Sequence, residues 1–161
     1  MKTPPALPIS IRHWVHQDIR SMVGIDQACF GKSAWSSGEF QKCFDNYFTA
    51  GLIAEAQFNK HVFGGPVYRI VGFVIYEFRG SVLKMTNLAI SPPYQRKKIG
   101  TLIINQLKAF LAKNAAKKLR ANIIETNLPA HLFFRSQGFK ARFLPRHYGE
   151  DAAYCFEFPA K

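Results

Sequence analysis

The chain has 161 residues, 48% of them hydrophobic and 14% aromatic, with a formal net charge of +12. That length suits one domain with a sizeable core, and that apolar content excludes a globally disordered chain. No apolar run approaches the roughly 20 residues of a membrane helix, and residues 1–8 lack the apolar segment of a signal peptide.

Residues 1–8 read as a disordered leader and 9–161 as a single domain. Residues 9–15 alternate apolar and polar, the pattern of a first strand. A helix opens at His16-Gln17-Asp18, with Ile19, Met22, Val23, Ile25, Ala28 and Cys29 as its apolar face up to Phe30. Gly31-Lys32-Ser33 breaks it, and Ser36-Ser37-Gly38-Glu39 has the form of a capping box for a short second helix with Phe40, Cys43 and Phe44 inward. Trp35 lies in the loop between the two helices. Residues 52–58, 67–78 and 82–90 read as strands of an antiparallel meander, with turn chemistry at Gly64-Gly65-Pro66 and Arg79-Gly80-Ser81, and with Gly72 as a bulge position. Leu102, Ile103, Leu107, Phe110 and Leu111 give residues 100–113 a helical period, and the lysines at 113, 117 and 118 sit near its end. Residues 121–125 form a strand reached by crossover, hence parallel to the one before. Pro129 suits the first turn of a helix that stops at Gly138, and two strands follow over 139–144 and 153–158. The fold class is α+β: a mixed, mostly antiparallel sheet with helices on both faces.

Three cysteines without a Cys-x-x-Cys pair point to reduced thiols in a cytoplasmic protein, with Cys29 and Cys155 as inert core residues. His13 and His16 have no ligand cluster beside them, and no metal site is expected. A charge of +12 attracts polyanions, a phosphorylated cofactor or a ribosomal surface among them, but no DNA- or RNA-binding motif is present.

The most informative stretch joins the strand ending Asn87-Leu88-Ala89-Ile90 to the helix beginning near Gly100 through Ser91-Pro92-Pro93-Tyr94-Gln95-Arg96-Lys97-Lys98-Ile99. Cations at a helix N-terminus oppose its dipole, unless an anion lies between them and the open backbone N–H groups. The expectation is a pyrophosphate cradle. The arrangement resembles motif A of the GNAT superfamily of acetyl-CoA-dependent N-acetyltransferases, Gln/Arg-x-x-Gly-x-Gly/Ala. Gln95 and Gly100 match it, and Lys98 stands where the first glycine is usual. A lysine held left-handed there costs about 1–2 kcal/mol, which its ammonium could offset by facing a phosphate.

The order of elements is similar to the GNAT fold along nearly the whole chain. Ala28-Cys29-Phe30 with Trp35-Ser36, Asn127 followed by Phe133-Phe134-Arg135-Ser136-Gln137-Gly138-Phe139, and Arg146-His147-Tyr148-Gly149-Glu150-Asp151-Ala152 resemble segments of the ribosomal-protein-alanine acetyltransferase (RimI) branch. The resemblance implies acetyl-CoA as cofactor. It implies Gln95, Arg96, Lys97, Lys98, Ile99, Gly100 and Thr101 around the diphosphate. Leu88, Ala89 and Ile90 become backbone partners of the pantetheine, with Asn127 and Phe134 beside it. In the family the cofactor enters a gap between this strand and its parallel neighbour. The branch also frames a groove for a peptide N-terminus, here with Phe30, Trp35 and Tyr148. Asn127 also suits a helix cap, and Phe134 suits core packing.

Two positions depart from the branch. Its tyrosine acid is Phe134 here, and the strand position of its amine-deprotonating residue is Asn122. Tyr148, which equally suits packing against the sheet, is then the best remaining acid, and water chains past Asn122 or Glu125 are expected to take the amine proton; Glu125 better suits a solvent-facing strand residue. The expected acceptor is a protein N-terminal α-amine, with ribosomal association compatible with the charge and no DNA or membrane partner. A non-catalytic acyl-CoA-binding or ribosome-associated module, and an enzyme for small-molecule amines, remain the alternatives.

Overall fold

The computed structural model describes residues 7–58, 64–145 and 152–160. Strand β1 (Ile9–His13) pairs antiparallel with β2 (Thr49–Phe58), Ile9 opposite Ala56 and His13 opposite Leu52. β1 stops two residues short of the expected 15 because Asp18 captures the chain: its carboxylate accepts the Val15 N–H at 2.7 Å and both Arg12 Nη atoms at 2.7 and 2.8 Å. Arg12 also reaches Glu55 on β2 at 2.7 Å. The expected helix-opening acid is thus a buried clamp, 5% exposed. Helix α1 (Ile19–Phe30) buries Ile19, Met22, Ile25 and Asp26, while Val23 and Cys29 are half-buried and Ala28 is exposed. It ends where Gly31 takes φ +54°. Helix α2 (Ser37–Phe44) starts with the reciprocal cap expected: Ser36 Oγ accepts the Glu39 N–H, and Glu39 Oε2 accepts the Ser36 N–H.

Strand β3 (Val67–Arg79) is buried without interruption from Val71 to Tyr76, as a strand covered on both faces must be. Gly80, at φ +58°, turns the chain into β4 (Val82–Ile90). At Gly72 the structure explains the glycine by close approach: a Cβ there would lie 2.5 Å from Ile90 Cδ1 and 3.0 Å from the Ala89 carbonyl oxygen. Helix α3 (Ile99–Lys113) buries Ile99, Ile103, Ile104, Leu107 and Leu111. Leu102, expected on that face, is 43% exposed; it lies off the i, i+4 row, and Ile104 takes its place. Strand β5 (Lys118–Ile124) begins three residues before the expected start. Its lysine and arginine alternate with buried Leu119 and Ala121, so Lys118 belongs to a strand and not to a helix end. Helix α4 (Leu128–Ser136) ends in Gly138 at φ +83°, with the Phe139 N–H donating to the Phe134 carbonyl. Strands β6 (Lys140–Leu144) and β7 (Ala153–Pro159) follow.

The strand order is β1-β2-β3-β4-β5-β7-β6. β4 and β5 run parallel; β5 with β7, and β7 with β6, run antiparallel. The α+β expectation holds. Among the described residues no helix is long and apolar enough to cross a membrane. The chain groups into two compact units. One holds the N-terminal part through Val74 with Leu88–Ile103; the other holds Ile75–Asn87 and the chain from Ile104 onward. In the first, the Phe40 and Phe73 rings meet at 5.7 Å. In the second, Phe110 of α3 meets Tyr76 and Phe78 of β3, and Lys108 lays its ammonium 4.2 Å from the Phe158 ring centroid while donating to the Gln137 carbonyl at 2.6 Å.

Candidate functional site

The first unit carries the loop singled out by its sequence. β4 ends with Ala89 buried and Leu88 and Ile90 half-buried. The prolines set a single 3-10 turn over Pro92–Tyr94, and Gln95 is extended at φ −63°, ψ 157°. Arg96 and Lys98 then both adopt φ +63°, the two left-handed non-glycine residues among the described ones, flanking Lys97 at negative φ. Each costs about 1–2 kcal/mol relative to a right-handed residue. Alternation of this kind draws successive backbone N–H groups into an anion-binding concavity. The Lys98 carbonyl accepts the Leu102 N–H at 3.0 Å, so α3 opens directly from that concavity with the N–H groups of Ile99 and Gly100 in its first turn. Arg96, Lys97 and Lys98 are all exposed, and no carboxylate among the described residues forms a salt bridge with them. Lys97 rests its ammonium 5.3 Å from the Tyr94 ring centroid. Strained backbone, cations against the helix dipole and open amides are each unfavourable alone; a bound diphosphate relieves the second and third together.

Cys29 behaves differently from expectation, and the Gln95 side chain has a partner within the fold. The Ile90 carbonyl accepts Gln95 Nε2 at 2.9 Å and the Cys29 thiol at 3.2 Å, with Gln95 Nε2 3.9 Å from Cys29 Sγ. The Gln95 side chain therefore folds back to the strand end, and Cys29 is a half-buried donor joining α1 to β4 where an inert core residue was expected. Burial raises the thiol pKa, and the Asp26 charge adds to it against the hydrogen bonds with Gln95 and Ile90, so the sulfur keeps the proton it donates. No local pattern reveals a contact between residues this far apart in sequence.

The backbone of the α1–α2 loop is held at Trp35 by an acid that sequence reading missed. Asp26, 0% exposed, accepts the Trp35 backbone N–H at 2.6 Å. Its position was legible as the third member of the i, i+3, i+4, i+7 stripe Met22, Ile25, Asp26, Cys29. Trp35 is half-buried with its ring 5.5 Å from Phe40, and Phe30 is 38% exposed.

In the second unit, β5 uses all seven residues against β7 but pairs with β4 only from Val82↔Lys118 to Met85↔Ala121. Asn122 is the first β5 residue past that pairing; it is exposed and opposite Cys155. Glu125 is exposed beyond the strand, with its N–H donating to the Ala152 carbonyl at 2.9 Å. Asn127 caps α4: Oδ1 accepts the Ala130 N–H at 3.2 Å, and its own carbonyl accepts the His131 N–H. The cap occupies Oδ1 alone and leaves a second role compatible. Phe134 is 3% exposed, its ring packed 5.1 to 5.8 Å from Phe133, Phe139 and Phe156. His131 was not foreseen: Nε2 hydrogen-bonds the Ile124 carbonyl at 2.9 Å and the ring stands edge-on to Tyr154 and Phe156, fixing α4 to the end of β5. Tyr148, with the segment around it, lies outside the described residues.

The chain matches the acetyltransferase (GNAT) family model over residues 19–139. No curated protein matches it in sequence. Its fold is similar to the ribosomal-protein-alanine N-acetyltransferase of Escherichia coli, with a TM-score of 0.77 and 19% identity over 95% of this chain and 94% of that one. It is also similar to NAA60 of Arabidopsis thaliana in complex with acetyl-CoA, at 0.73 and 16% over 94% and 98%. A third similar structure is PaiA N-acetyltransferase of Thermoplasma acidophilum in complex with coenzyme A, at 0.70 and 17% over 95% and 99%.

Proposed function

Because the chain belongs to the GNAT acetyltransferase family, we propose that it transfers acetyl from acetyl-CoA to the N-terminal α-amine of a protein, in the manner of the ribosomal-protein-alanine acetyltransferase branch. The observation that carries the reading is the paired left-handed Arg96 and Lys98 that open α3 at the end of the loop from β4. The residues fit a diphosphate: main-chain N–H groups over 96–101 bind it, Lys98 adds charge, and Gly100 in the first helical turn adds no side chain against it. Acetyl-CoA supplies the acetyl thioester. Leu88, Ala89 and Ile90 offer the thioester arm backbone groups, and Gln95 with Cys29 fixes the Ile90 carbonyl among them. The family resemblance assigns Asn127 and Phe134 to the cofactor as well. Orientation and backbone donors supply most of the rate gain in such a site.

Proton movement must use other groups than the branch's usual pair. Phe134 has no proton to give, and Asn122 is no base. The acceptor amine is brought to the end of β5, where water chains past Asn122 or Glu125 take its proton, and Tyr148 returns a proton to the departing sulfur. An α-amine, with a pKa of about 8 against about 10.4 for lysine, is neutral often enough at pH 7 to need no strong base. The family resemblance assigns Phe30 and Trp35 to the acceptor.

Buried Phe134 together with Asn122 favours one rival, a non-catalytic acyl-CoA-binding module. One assay decides between them. Acetyl-CoA is offered with free-amine peptides, with the same peptides N-terminally blocked but carrying lysine, and with polyamines and aminoglycosides. Turnover on the free-amine peptides supports the reading. Preference for blocked or small acceptors overturns the N-terminal assignment, and acetyl-CoA binding without turnover on any amine leaves the module.

A further inference from the structure

One face of the β5-β7-β6 sheet is basic in a patterned way. The antiparallel register sets Asn122 opposite Cys155, and Cys155 opposite Arg142, in one row across three strands. The next row is Arg120, Glu157 and Lys140, and Lys118 follows on β5. Side chains two apart on a strand, and those directly opposite across a pair, share a face. Lys118, Arg120, Lys140 and Arg142 therefore stand on the same face as Asn122, with Glu157 as its carboxylate among the described residues.

Glu157 engages two of the four cations: Arg120 through Nη2 at 2.6 Å and Nε at 2.9 Å, and Lys118 at 3.5 Å. Lys140 and Arg142 are exposed, and neither forms a salt bridge among the described residues. The uncompensated charge thus lies on β6. It is two strand spacings from Asn122, roughly 10 Å at about 4.8 Å per spacing. An extended peptide covers that distance in about three residues.

We propose that this face selects acceptors carrying aspartate or glutamate within the first few residues after the reacting amine. The inference rests on the reading that the amine is brought to the end of β5, and adds to it the chemistry of the chain that follows. The reactive end lies at the Asn122 row, and the following carboxylates come over Arg142 and Lys140, with Arg120 and Lys118 strengthening the positive field.

The test uses the full chain, acetyl-CoA and peptides with a common first residue and acidic, neutral or basic residues at positions two to four. Expected is the highest kcat/KM for the acidic series, with a preference over the basic series of about fivefold or more that shrinks as salt is raised. Arg142→Glu and Lys140→Glu, at exposed positions, should invert the order, and Arg142→Gln should flatten it. Equal kcat/KM across the three series, or a preference for basic peptides, overturns the proposal while leaving N-terminal acetylation standing. Acetylation of none overturns both. Inhibition by single-stranded RNA with no discrimination among peptides would assign the face to nucleic acid and overturn the proposal.

Discussion

Replacing Lys98 separates what its backbone costs from what its charge contributes. At φ +63° the residue is strained by about 1–2 kcal/mol, which glycine would not carry. Glycine loses about 0.5–1 kcal/mol more backbone entropy on folding. The difference leaves Lys98→Gly more stable by about 0.5–1 kcal/mol, and removing a cation from the start of α3 acts in the same direction. For a chain of this length that is a rise in the thermal midpoint of roughly 1–4 °C. Lys98→Ala removes the same charge but keeps a Cβ, so it retains the strain. Both variants should bind acetyl-CoA more weakly, by about fivefold at moderate salt and less at high salt. Scanning calorimetry of the free protein and titration calorimetry with acetyl-CoA read the two quantities independently. A lower midpoint for Lys98→Gly than for Lys98→Ala would refute the strain argument. Parent-like affinity in both would remove the Lys98 ammonium from the cradle.

Gly100→Glu puts bulk and negative charge in the first turn of α3 and should abolish acetyl-CoA binding in a folded protein, as calorimetry and circular dichroism together would show. Tyr148→Phe should lower kcat by about 100-fold if the phenol returns the proton, measured where the chemical step limits turnover. Gly72→Ala forces a Cβ against Ile90 and the Ala89 carbonyl and should destabilise by about 1–3 kcal/mol in chemical denaturation; an unchanged midpoint would mean that β4 moves aside freely. At Asp18, burial raises the carboxyl pKa, but hydrogen bonds from Arg12 and Val15 and the Arg12 charge outweigh it and hold it below the usual range. Its contribution is present above the unfolded-state value and lost as pH falls through the folded one. The thermal midpoint should therefore fall below about pH 4, and Asp18→Asn should weaken that dependence.

The sequence alone determined whatever depends on neighbours within a few residues. The Ser36–Glu39 capping box, β4 from Val82 to Ile90, the stop at Gly138 and the strained loop before α3 were all legible, because local sterics and one turn of hydrogen bonding set them. The family resemblance rested on the same local motifs. Tertiary structure decided what depends on partners distant in the chain. Asp18 became a clamp because Arg12 and Glu55 meet it across β1 and β2. The Gln95 side chain reached back to the Ile90 carbonyl, with Cys29 arriving there from α1. Leu102 is exposed where burial was expected, and Ile104 is buried, because residue spacing gives the period of a helix but not the rotation at which it packs. The basic row on β6 is likewise invisible in the string, where Lys140 and Arg142 are two charges near a turn. Only the antiparallel register, which puts residue 142 across from 155 and 155 across from 122, makes them neighbours of Asn122 on one face.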